Sequence, residues 1–274
     1  RGFEKFFNFN ELPETTLWSL LRDAPEGEKV VCREKADGHM IEYFMNGDQL
    51  MATTRGKFGT ASSETALQLF TRAEFIKAAI LSERFGRSLM SVVVELVHPS
   101  TEVHVDYEGA QKLYLLSAYD KNGNAFSLSQ LESLSESMAE TFTLPASTEM
   151  TIHEIIQEVQ DRTVHNNEGW VATIGDRLVK FKYETYIGRM VESKLSYKYI
   201  MNCLKNERLD KMLMTLPEEV RDHAYEMVND VKNSTVGTSY KPLYDLYSSN
   251  EGGEAYFKTV CREYWRKAVG FAGK

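Results

Sequence analysis

The sequence predicts an α+β fold in which antiparallel sheets are followed by a smaller, all-α domain. Short runs of β-branched and aromatic residues are joined by hairpin turn signals at Asn46-Gly47-Asp48 and Gly175-Asp176. After about residue 187 these runs stop, and the remaining segments have helical patterns. We therefore place a domain boundary near Gly188, which separates residues 1–188 from a helical domain of residues 189–274.

The strand signals are concentrated in the first two thirds of the chain. The predicted strands are Lys29–Glu34, His39–Met45, Leu50–Thr54, Ser91–Val97, Val103–Tyr107, Leu113–Tyr119, 168–174 and 178–182. Because the strand after Glu34 enters a hairpin, we expect an antiparallel arrangement rather than a parallel βαβ unit.

The predicted helices are Leu17–Leu21, Ser62–Phe85, Ser127–Thr141, Thr151–Arg162, Arg189–Asn206, Asp210–Thr215, Glu218–Lys232 and Phe257–Val269. The helix from Ser62 has an apolar stripe, a cap at Ser62 or Ser63, and a stop at Gly86.

Composition places the chain among proteins with a substantial apolar core. It has 274 residues, 42% of them hydrophobic and 26% charged, with a mean hydropathy of −0.39. No apolar run approaches the roughly 20 residues that span a bilayer. The chain begins at Arg1 without a signal-peptide pattern, so we expect a cytoplasmic protein from which an N-terminal segment is missing.

Three cysteines lie far apart, at Cys32, Cys203 and Cys261. This spacing argues against a zinc site and against a disulfide framework, and it favours a reducing compartment. The net charge of −8 is unusual for a nucleic-acid binder. Residues 189–274, however, carry 14 Lys and Arg against 12 Asp and Glu, so the acidic excess lies in the first domain. Net charge does not exclude a local basic groove.

One candidate for chemistry is Lys35-x-Asp37-Gly38, which follows the apolar run Val30-Val31-Cys32. It places an amine at the end of a predicted strand, where a tight turn begins. A buried lysine loses its charge readily and can act as a nucleophile. A surface turn is the alternative, since Asp-Gly is a common turn dipeptide.

Further motifs follow Lys35 in a fixed order. They are Thr54-Arg55-Gly56, a strand glutamate at Glu95, Glu168-Gly169-x-Val171, and Lys180-x-Lys182. This ordered set resembles the covalent nucleotidyltransferases, which include polynucleotide ligases and mRNA capping enzymes. It is most similar to the phage RNA ligase 1 family, with fungal tRNA ligases as the nearest neighbours. Lys5-Phe6-Phe7-Asn8, Val94–Pro99 with Val103–Tyr107, and Val179–Lys182 leading to Tyr186-Ile187 carry the closer match.

The resemblance implies an antiparallel-sheet nucleotidyltransferase domain, an ATP-grasp-like ligase fold, over residues 1–188. It implies an ATP-dependent RNA ligase that uses Mg²⁺, or Mn²⁺ in its place, and joins 5′-phosphate and 3′-hydroxyl RNA ends through a lysyl-AMP and an RNA-adenylate. It further suggests RNA or tRNA repair by a bacteriophage protein in the host cytoplasm.

Residue roles are carried over from the resemblance. Lys35 is the expected nucleophile, with Lys180 and Lys182 stabilising phosphoryl charge from one strand face and depressing the Lys35 pKa together with a bound metal. Glu168 is the expected metal ligand. The nucleotide-binding residues are Glu34, Asp37, Gly38, Arg55, Glu95 and Glu168, with Arg1 and Lys5 as candidates for a pyrophosphate or end-phosphate contact.

Several alternatives stay open at this point. Lys180 and Lys182 are also compatible with a solvated strand face, and Glu95 with an edge strand facing water. His39 stands where these ligases usually have a small residue. A DNA ligase or a GTP-using capping enzyme usually adds a strand-rich OB-fold domain, which residues 189–274 do not resemble. A non-catalytic RNA-end-binding module is a further alternative, although every expected catalytic residue is present. The helical domain either contacts RNA or only packs as a cap.

Overall fold

The structure, a computed structural model, describes residues 5–101, 103–205 and 208–234. The chain divides into two compact units, Arg1–Tyr186 and Ile187–Lys274. Arg1 and the helix predicted at Phe257–Val269 lie outside the described residues. Within the described ranges, no helix combines the length and the apolar character needed to cross a membrane.

The strands and helices are as follows. The strands are β1 Phe7–Asn8, β2 Lys29–Glu34, β3 His39–Asn46, β4 Gln49–Thr53, β5 Leu89–Val97, β6 Lys112–Asp120, β7 Phe142–Thr143, β8 Ser147–Thr151, β9 Gly169–Ile174 and β10 Arg177–Lys182. The helices are α1 Leu17–Asp23, α2 Ala61–Leu69, α3 Arg72–Glu83, α4 Leu128–Ser137, α5 Ile152–Val159, α6 Glu184–Lys194, α7 Tyr197–Lys205, α8 Leu209–Thr215 and α9 Glu218–Ser234, with a 3₁₀ turn at Pro13–Thr15.

Two five-stranded sheets confirm the predicted α+β class. The first sheet has the order β1-β10-β9-β2-β8, and the second has the order β4-β3-β5-β6-β7. All pairings are antiparallel except β1 with β10 and β6 with β7. The hairpins predicted at Gly47-Asp48 and Gly175-Asp176 join β3 to β4 and β9 to β10, and both glycines adopt positive φ.

The segment Lys35–Gly38 connects the two sheets. It leaves the first sheet at the end of β2 and enters the second sheet at the start of β3. The predicted tight turn at Asp37-Gly38 is therefore wrong. The two strands belong to different sheets, so the connection passes between layers instead of reversing within one layer.

The apolar core lies between the second sheet and helices α2, α3 and α4. Alternate residues of β3 and β5, such as Tyr43 and Val94, are fully buried against it. The Tyr43 hydroxyl also donates a hydrogen bond of 2.8 Å to the Ala66 carbonyl oxygen of α2. Because side chains alternate along a strand, Met40 and Glu95 project from the opposite face of this sheet. One face therefore stabilises the fold, and the other is free to form a site.

The helix predicted at Ser62–Phe85 is two helices, α2 and α3. A new capping box forms at Thr71, whose side-chain oxygen accepts from the Glu74 backbone N–H while the Glu74 carboxylate accepts from the Thr71 backbone N–H. The first cap is likewise Thr60, not Ser62 or Ser63. The run predicted at Arg189–Asn206 is also divided, into α6 and α7.

The strand predicted at Val103–Tyr107 is a loop. Its backbone N–H groups at His104 and Val105 donate to the Asp37 carboxylate at 2.6 and 2.9 Å. These donors are consumed by a side chain, so they do not form a sheet ladder. The sequence does not show this hydrogen-bonding partner, because Asp37 is distant from the loop along the chain.

Helices of the second unit pack around a small apolar cluster. Ile200 of α7, Leu213 of α8, and Val220 and Ala224 of α9 are buried. The described part of this unit contains helices and no strand, as the sequence pattern predicts.

Gly169→Ala should destabilise the protein by about 2 kcal/mol or more. Gly169 has a φ of 149°, and an added Cβ would lie 2.0 Å from the Phe181 carbonyl oxygen and 2.8 Å from the Lys182 Cα. Both obstructing atoms are backbone, so β9 and β10 would have to separate. Urea unfolding measures the change.

The matched control for this substitution is Gly188→Ala. Gly188 lies in α6, and an added Cβ there meets nothing within 4 Å. This variant should be neutral or more stable by up to about 1 kcal/mol, because alanine favours helices. Equal effects at the two glycines would contradict the proposed clash.

Candidate active site

Lys35 lies at the carboxyl end of β2, in the first sheet. Its backbone N–H donates to the Gly169 carbonyl oxygen at 2.8 Å, which fixes the end of the strand against β9. Its Nζ lies 2.8 Å from Oε2 of Glu168, and the two side chains are only 19% and 4% exposed. The predicted nucleophile is thus a largely buried ammonium that is held by a buried carboxylate.

Glu168 also contacts a second lysine. Its other oxygen, Oε1, lies 3.3 Å from Nζ of Lys182 at the end of β10. The register of the hairpin explains this contact, because Gly169 pairs directly with Lys182. The Tyr183 backbone N–H donates to the Glu168 carbonyl oxygen at 3.0 Å and anchors the same end of the hairpin. One carboxylate therefore bridges two ammonium groups from different strands.

Lys180 lies two residues before Lys182, and both line the same cavity. The Lys180 ammonium lies 4.7 Å from the centre of the Phe6 ring, and the Lys182 ammonium lies 5.6 Å from the centre of the Tyr186 ring. A shared strand face was predicted from their spacing. The solvated-face alternative is wrong for Lys182, whose side chain is 13% exposed.

The pKa of Lys35 is raised. Burial alone lowers this pKa, but the attraction of the Glu168, Glu95 and Asp37 carboxylates more than offsets burial. The prediction that nearby lysines depress the pKa of Lys35 is wrong for this arrangement. The charge of Lys182 is compensated by Glu168, so it does not act on Lys35 as an isolated cation.

Glu95 projects into the site from β5. This strand lies between β3 and β6 at the centre of the second sheet, so the edge-strand alternative is wrong. Burial raises the pKa of Glu95 to about 7, with repulsion from Glu168 and Asp37 adding to the effect and Lys35 opposing it. A protonated and an ionised Glu95 are therefore both populated near neutral pH.

Gly38 allows the second sheet to approach this closely. A Cβ at this position would lie 2.5 Å from the Leu96 carbonyl oxygen and 2.9 Å from the Cγ of Glu95. Gly38 was predicted as a nucleotide-binding residue. The structure explains the glycine by packing, because the absence of a side chain lets Glu95 lie next to the Lys35–Gly38 connection.

Asp37 is used by the protein itself. It is 8% exposed, and its carboxylate binds the backbone of His104 and Val105 while its own backbone N–H donates to the Tyr107 hydroxyl at 2.8 Å. Its predicted role in binding nucleotide is not supported by these contacts. Asp37 instead ties the loop after β5 to the segment that carries the nucleophile.

The functional side chains surround a cavity of about 270 Å³ between the two sheets. Its lining includes six of the predicted site residues, namely Glu34, Lys35, Arg55, Glu95, Lys180 and Lys182. The lining residues are Phe6, Arg33, Glu34, Lys35, Ala36, Met40, Arg55, Glu95, Leu116, Pro145, Val171, Leu178, Lys180 and Lys182. A cavity of this kind combines apolar walls with a few converging charged groups, as small-molecule sites do.

Arg55 reaches the cavity from the exposed loop after β4. The Lys57 carbonyl oxygen in this loop accepts from the Thr54 backbone N–H at 3.1 Å and from the Thr53 hydroxyl at 2.9 Å. His39 lies close by on β3, and its Nδ1 is 2.6 Å from the Ser62 hydroxyl of α2. His39 therefore links β3 to the first turn of the helix that follows the Arg55 loop.

Lys5 lies outside the cavity lining. It is exposed, and its Nζ lies 4.4 Å from the centre of the Phe7 ring. The neighbouring Phe6 lines the cavity instead. Sequence reasoning did not select Phe6 or Arg33 as site residues. For Arg33 a signal existed, since it lies two residues from Lys35 and therefore on the same face of β2.

Glu168 is the candidate metal ligand. Among the described residues, no group of three or more His, Cys, Asp and Glu side chains converges to form a metal cage. Mg²⁺ is often held by one or two carboxylates together with water and substrate phosphates. Glu168 provides one carboxylate beside the ammonium groups of Lys35 and Lys182, which fits this mode of Mg²⁺ binding. It does not fit a site in which every metal ligand comes from the protein.

Comparison with known proteins agrees with this geometry. A family model described as RNA ligase, of the phage T4 ligase 1 type, matches residues 1–186. The chain belongs to the phage RNA ligase 1 family. The match covers every described residue of the candidate active site. No match was found among curated proteins.

Among solved structures, this ligase-family chain is similar in fold to Naegleria gruberi RNA ligase. A variant of that ligase with ATP and Mn has a TM-score of 0.50 and 16% identity, covering 68% of this chain and 57% of that chain. Another variant with ATP and Mn has a TM-score of 0.49 and 16% identity, covering 69% and 58%. The ligase with PPi has a TM-score of 0.46 and 17% identity, covering 63% and 54%. The similarity thus extends over little more than half of the Naegleria protein.

Glu95→Gln should remove part of the pH dependence of stability. The pKa of Glu95 in the folded state, about 7, is above the ordinary value of 4.5, so the folded state binds more protons between these values. The free energy of unfolding therefore falls as pH rises from about 4.5 to about 7. At pH 8 the variant should be more stable than wild type by up to about 3 kcal/mol.

Urea unfolding at pH 5 and pH 8, in metal-free buffer, tests this effect. The advantage of Glu95→Gln should shrink towards pH 4.5, where the wild-type carboxyl is also neutral. Glu140→Gln is the control, because Glu140 is exposed. A pH dependence identical in wild type and Glu95→Gln would contradict the assignment.

Proposed function

We propose that this protein is an ATP-dependent RNA ligase that joins a 5′-phosphate to a 3′-hydroxyl. The observation that carries the proposal is the ion pairing of Glu168 with both Lys35 and Lys182 at the end of the first sheet. The two lysines line a cavity that Arg55 and Glu95 also line. A buried lysine between carboxylates has little reason to exist in a core, because apolar residues would pack there at lower cost. At the edge of a cavity of about 270 Å³, a buried lysine can react with a bound ligand.

In the first step, the neutral Lys35 amine attacks the α-phosphorus of ATP. A nitrogen–phosphorus bond forms, the bond from that phosphorus to the pyrophosphate oxygen breaks, and the amine loses its second proton to solvent. Lys182 and Lys180 stabilise the charge on the phosphoryl oxygens from the adjacent strand. The product is lysyl-AMP with pyrophosphate.

In the next two steps the AMP passes to RNA. The 5′-phosphate oxygen of RNA attacks the same phosphorus, the Lys35 nitrogen takes up a proton from solvent and leaves as an amine, and a 5′-5′ pyrophosphate linkage results. A 3′-hydroxyl oxygen then attacks the RNA phosphate, loses its proton to solvent and expels AMP, which leaves a phosphodiester. These intermediates belong to the proposal and are supported by family membership.

Other cavity residues have proposed binding roles. Glu34 accepts a hydrogen bond from the adenine amino group, and Arg55 and Glu95 hold the ribose hydroxyls. Lys5, the residue before the cavity-lining Phe6, is a proposed contact for pyrophosphate or an end phosphate. Arg1 is proposed for the same contact from the resemblance alone.

Glu168 is the residue that would hold Mg²⁺, or Mn²⁺, together with phosphate oxygens. The metal supplies positive charge at the phosphates, so that a carboxylate and a phosphate share a site without repulsion. Glu168 contacts Lys35 in the structure, so engaging it elsewhere would weaken the attraction that raises the pKa of Lys35. Glu168 thus links phosphate binding to the protonation of the nucleophile.

We further propose that residues 1–188 form the adenylylation domain and that residues 189–274 form a helical C-terminal domain. RNA repair, with tRNA as one substrate, in a phage-infected host cytoplasm is the biological setting that the family suggests. A DNA ligase and a GTP-using capping enzyme are second candidates from the wider superfamily, and a non-catalytic RNA-end-binding module is a third. No contact in the described structure favours any of these three.

Lys35→Ala should abolish transfer of AMP to the protein. Incubation with α-labelled ATP and Mg²⁺ should leave label on wild-type protein after denaturation, because the bond to Lys35 is covalent. Lys77→Ala is the matched control, since Lys77 is an exposed lysine of the same unit. His39→Ser should also retain labelling.

The same labelling assay separates the candidates. Addition of a 5′-phosphorylated RNA should move the label to RNA, and a 3′-hydroxyl end should then release it as AMP. Label from GTP alone would indicate a capping enzyme, and transfer to DNA ends alone would indicate a DNA ligase. An absence of any label would overturn the enzymatic proposal in favour of an RNA-end-binding module.

The rate of lysyl-AMP formation should rise with pH. Because the pKa of Lys35 is raised by its carboxylate neighbours, little of the amine is neutral at pH 7. At MgATP concentrations well below saturation, where the rate reports the free protein, it should therefore increase about tenfold per pH unit between roughly pH 6 and 8, as expected for a nucleophile that must first lose a proton. Single-turnover labelling measures this rate.

The internal control is the transfer of AMP from the adenylylated protein to 5′-phosphorylated RNA. In that step Lys35 is the leaving group and needs no deprotonation beforehand, so its rate should not share the steep slope. A flat pH profile for the first step would contradict the pKa that the site implies.

A further inference from the structure

Arg33 is a charged residue of the cavity that the proposed chemistry does not use. It lies on β2, two residues before Lys35, and lines the cavity. Its two terminal guanidinium nitrogens each lie 3.3 Å from the Leu116 carbonyl oxygen of β6. Among the residues that the structure describes, no carboxylate forms an ion pair with it. Burial lowers the pKa of Arg33.

A half-buried guanidinium that contacts one neutral oxygen is costly to the folded protein. Such groups are normally paired with a carboxylate or with a ligand, because five N–H donors need partners. Arg33 offers two of its nitrogens to a single, rather distant acceptor. Arg33 also lines the cavity, where a ligand can contact it.

The position of Arg33 indicates which part of a nucleotide it meets. Alternation along β2 puts Arg33 and Lys35 on one face, about 7 Å apart along the strand. Lys35 is level with the Gly169–Lys182 pair at the phosphate end, whereas Arg33 pairs with Val171. Val171 also pairs with Lys180 of β10, so Lys180 lies at the same level as Arg33, two strands away. Apolar cavity residues lie on this side, namely Val171, Leu178, Leu116 and Pro145.

The hydrogen-bonding groups around Arg33 match the edge of adenine. The Arg33 guanidinium is a donor, the Leu116 carbonyl is an acceptor beside it, and Glu34 lines the same cavity. Adenine presents the complement, an amino donor flanked by the ring acceptors N1 and N7. Guanine presents an oxygen in place of the amino group, which a carboxylate would repel. A phosphate is also a poor fit, because Glu34 and the Leu116 carbonyl would face it.

We propose that Arg33 is a specificity-determining residue that reads the nucleobase of ATP. Its guanidinium donates a hydrogen bond to N1 of adenine, which in guanine carries a hydrogen and cannot accept, while Glu34 accepts from the adenine amino group. The Leu116 carbonyl oxygen orients the guanidinium for this contact. The inference rests on the proposed use of ATP and deepens it, since it names the residue that separates ATP from GTP.

Equilibrium binding tests the proposal without relying on turnover. Isothermal titration is carried out in a Lys35→Met background, so that no AMP is transferred, with ATP, GTP, 1-deaza-ATP and 7-deaza-ATP as the ligands. Arg33→Met should weaken ATP binding by roughly tenfold or more, as expected for losing a hydrogen bond to a charged donor, and should leave GTP binding unchanged. Arg22→Met, at an exposed arginine of α1, is the matched control and should change neither.

The deaza nucleotides identify the atom that Arg33 contacts. One of them should bind the Arg33-containing protein more weakly than ATP does, and this deficit should disappear in Arg33→Met. If Arg33 only stabilises the packing of the two sheets, Arg33→Met should lower the affinities for ATP and GTP by the same factor and should lower the melting temperature. If Arg33 contacts a phosphate, Arg33→Met should also lower both affinities equally. Either result overturns the proposal.

If Arg33→Met does not fold, the Arg33-containing protein still decides the question. Equal affinities for ATP and both deaza nucleotides, or no measurable binding of ATP, would overturn the proposal. Labelling of the protein with intact Lys35 is a separate readout. If Arg33 makes ATP binding selective but no lysyl-AMP forms, only the ligase activity is contradicted. If lysyl-AMP forms but removing a ring nitrogen weakens binding equally with and without Arg33, only the role of Arg33 is contradicted.

Discussion

The candidate active site depends on one buried carboxylate shared by two ammonium groups. Glu168 lies 2.8 Å from Lys35 and 3.3 Å from Lys182, and it is almost completely buried. Without it, two partly buried cations would face each other across the end of the first sheet, and each would lose its charge or move to solvent. The carboxylate allows two lysines to remain where a phosphate can be bound.

The backbone around Glu168 is organised to keep this arrangement. Gly169 has no side chain, so β9 can pass directly over Phe181 and Lys182. Gly38 plays the same part on the other side of the cavity, where it lets Glu95 approach. Asp37 holds the loop after β5 through two backbone N–H groups. Three residues with no contact to substrate in the proposed mechanism therefore determine where the charged side chains stand.

The sequence pattern predicted most of the elements and selected six of the residues that line the cavity. Hairpins at Gly47 and Gly175 were predicted correctly, because a two-residue turn is a local property. The Val103–Tyr107 strand and the single helix from Ser62 were not, because their outcome depends on hydrogen bonds that the loop backbone donates to Asp37 and on a second capping box at Thr71. The spacing from Lys35 places Arg33 on the same strand face, but its contact with the Leu116 carbonyl oxygen of β6 appears only in the tertiary structure.

By itself the sequence determined the class of fold, the order of the motifs and the identity of the candidate nucleophile, because these follow from local periodicity and from residue types at given spacings. Only the tertiary structure decided that Lys35 has a raised pKa, that Asp37 binds a loop, and that Glu95 stands on a central strand. Each of these depends on charges and backbone groups brought together from two sheets. The electrostatic field at Lys35 is a sum over neighbours that are distant in sequence, so no local pattern contains it.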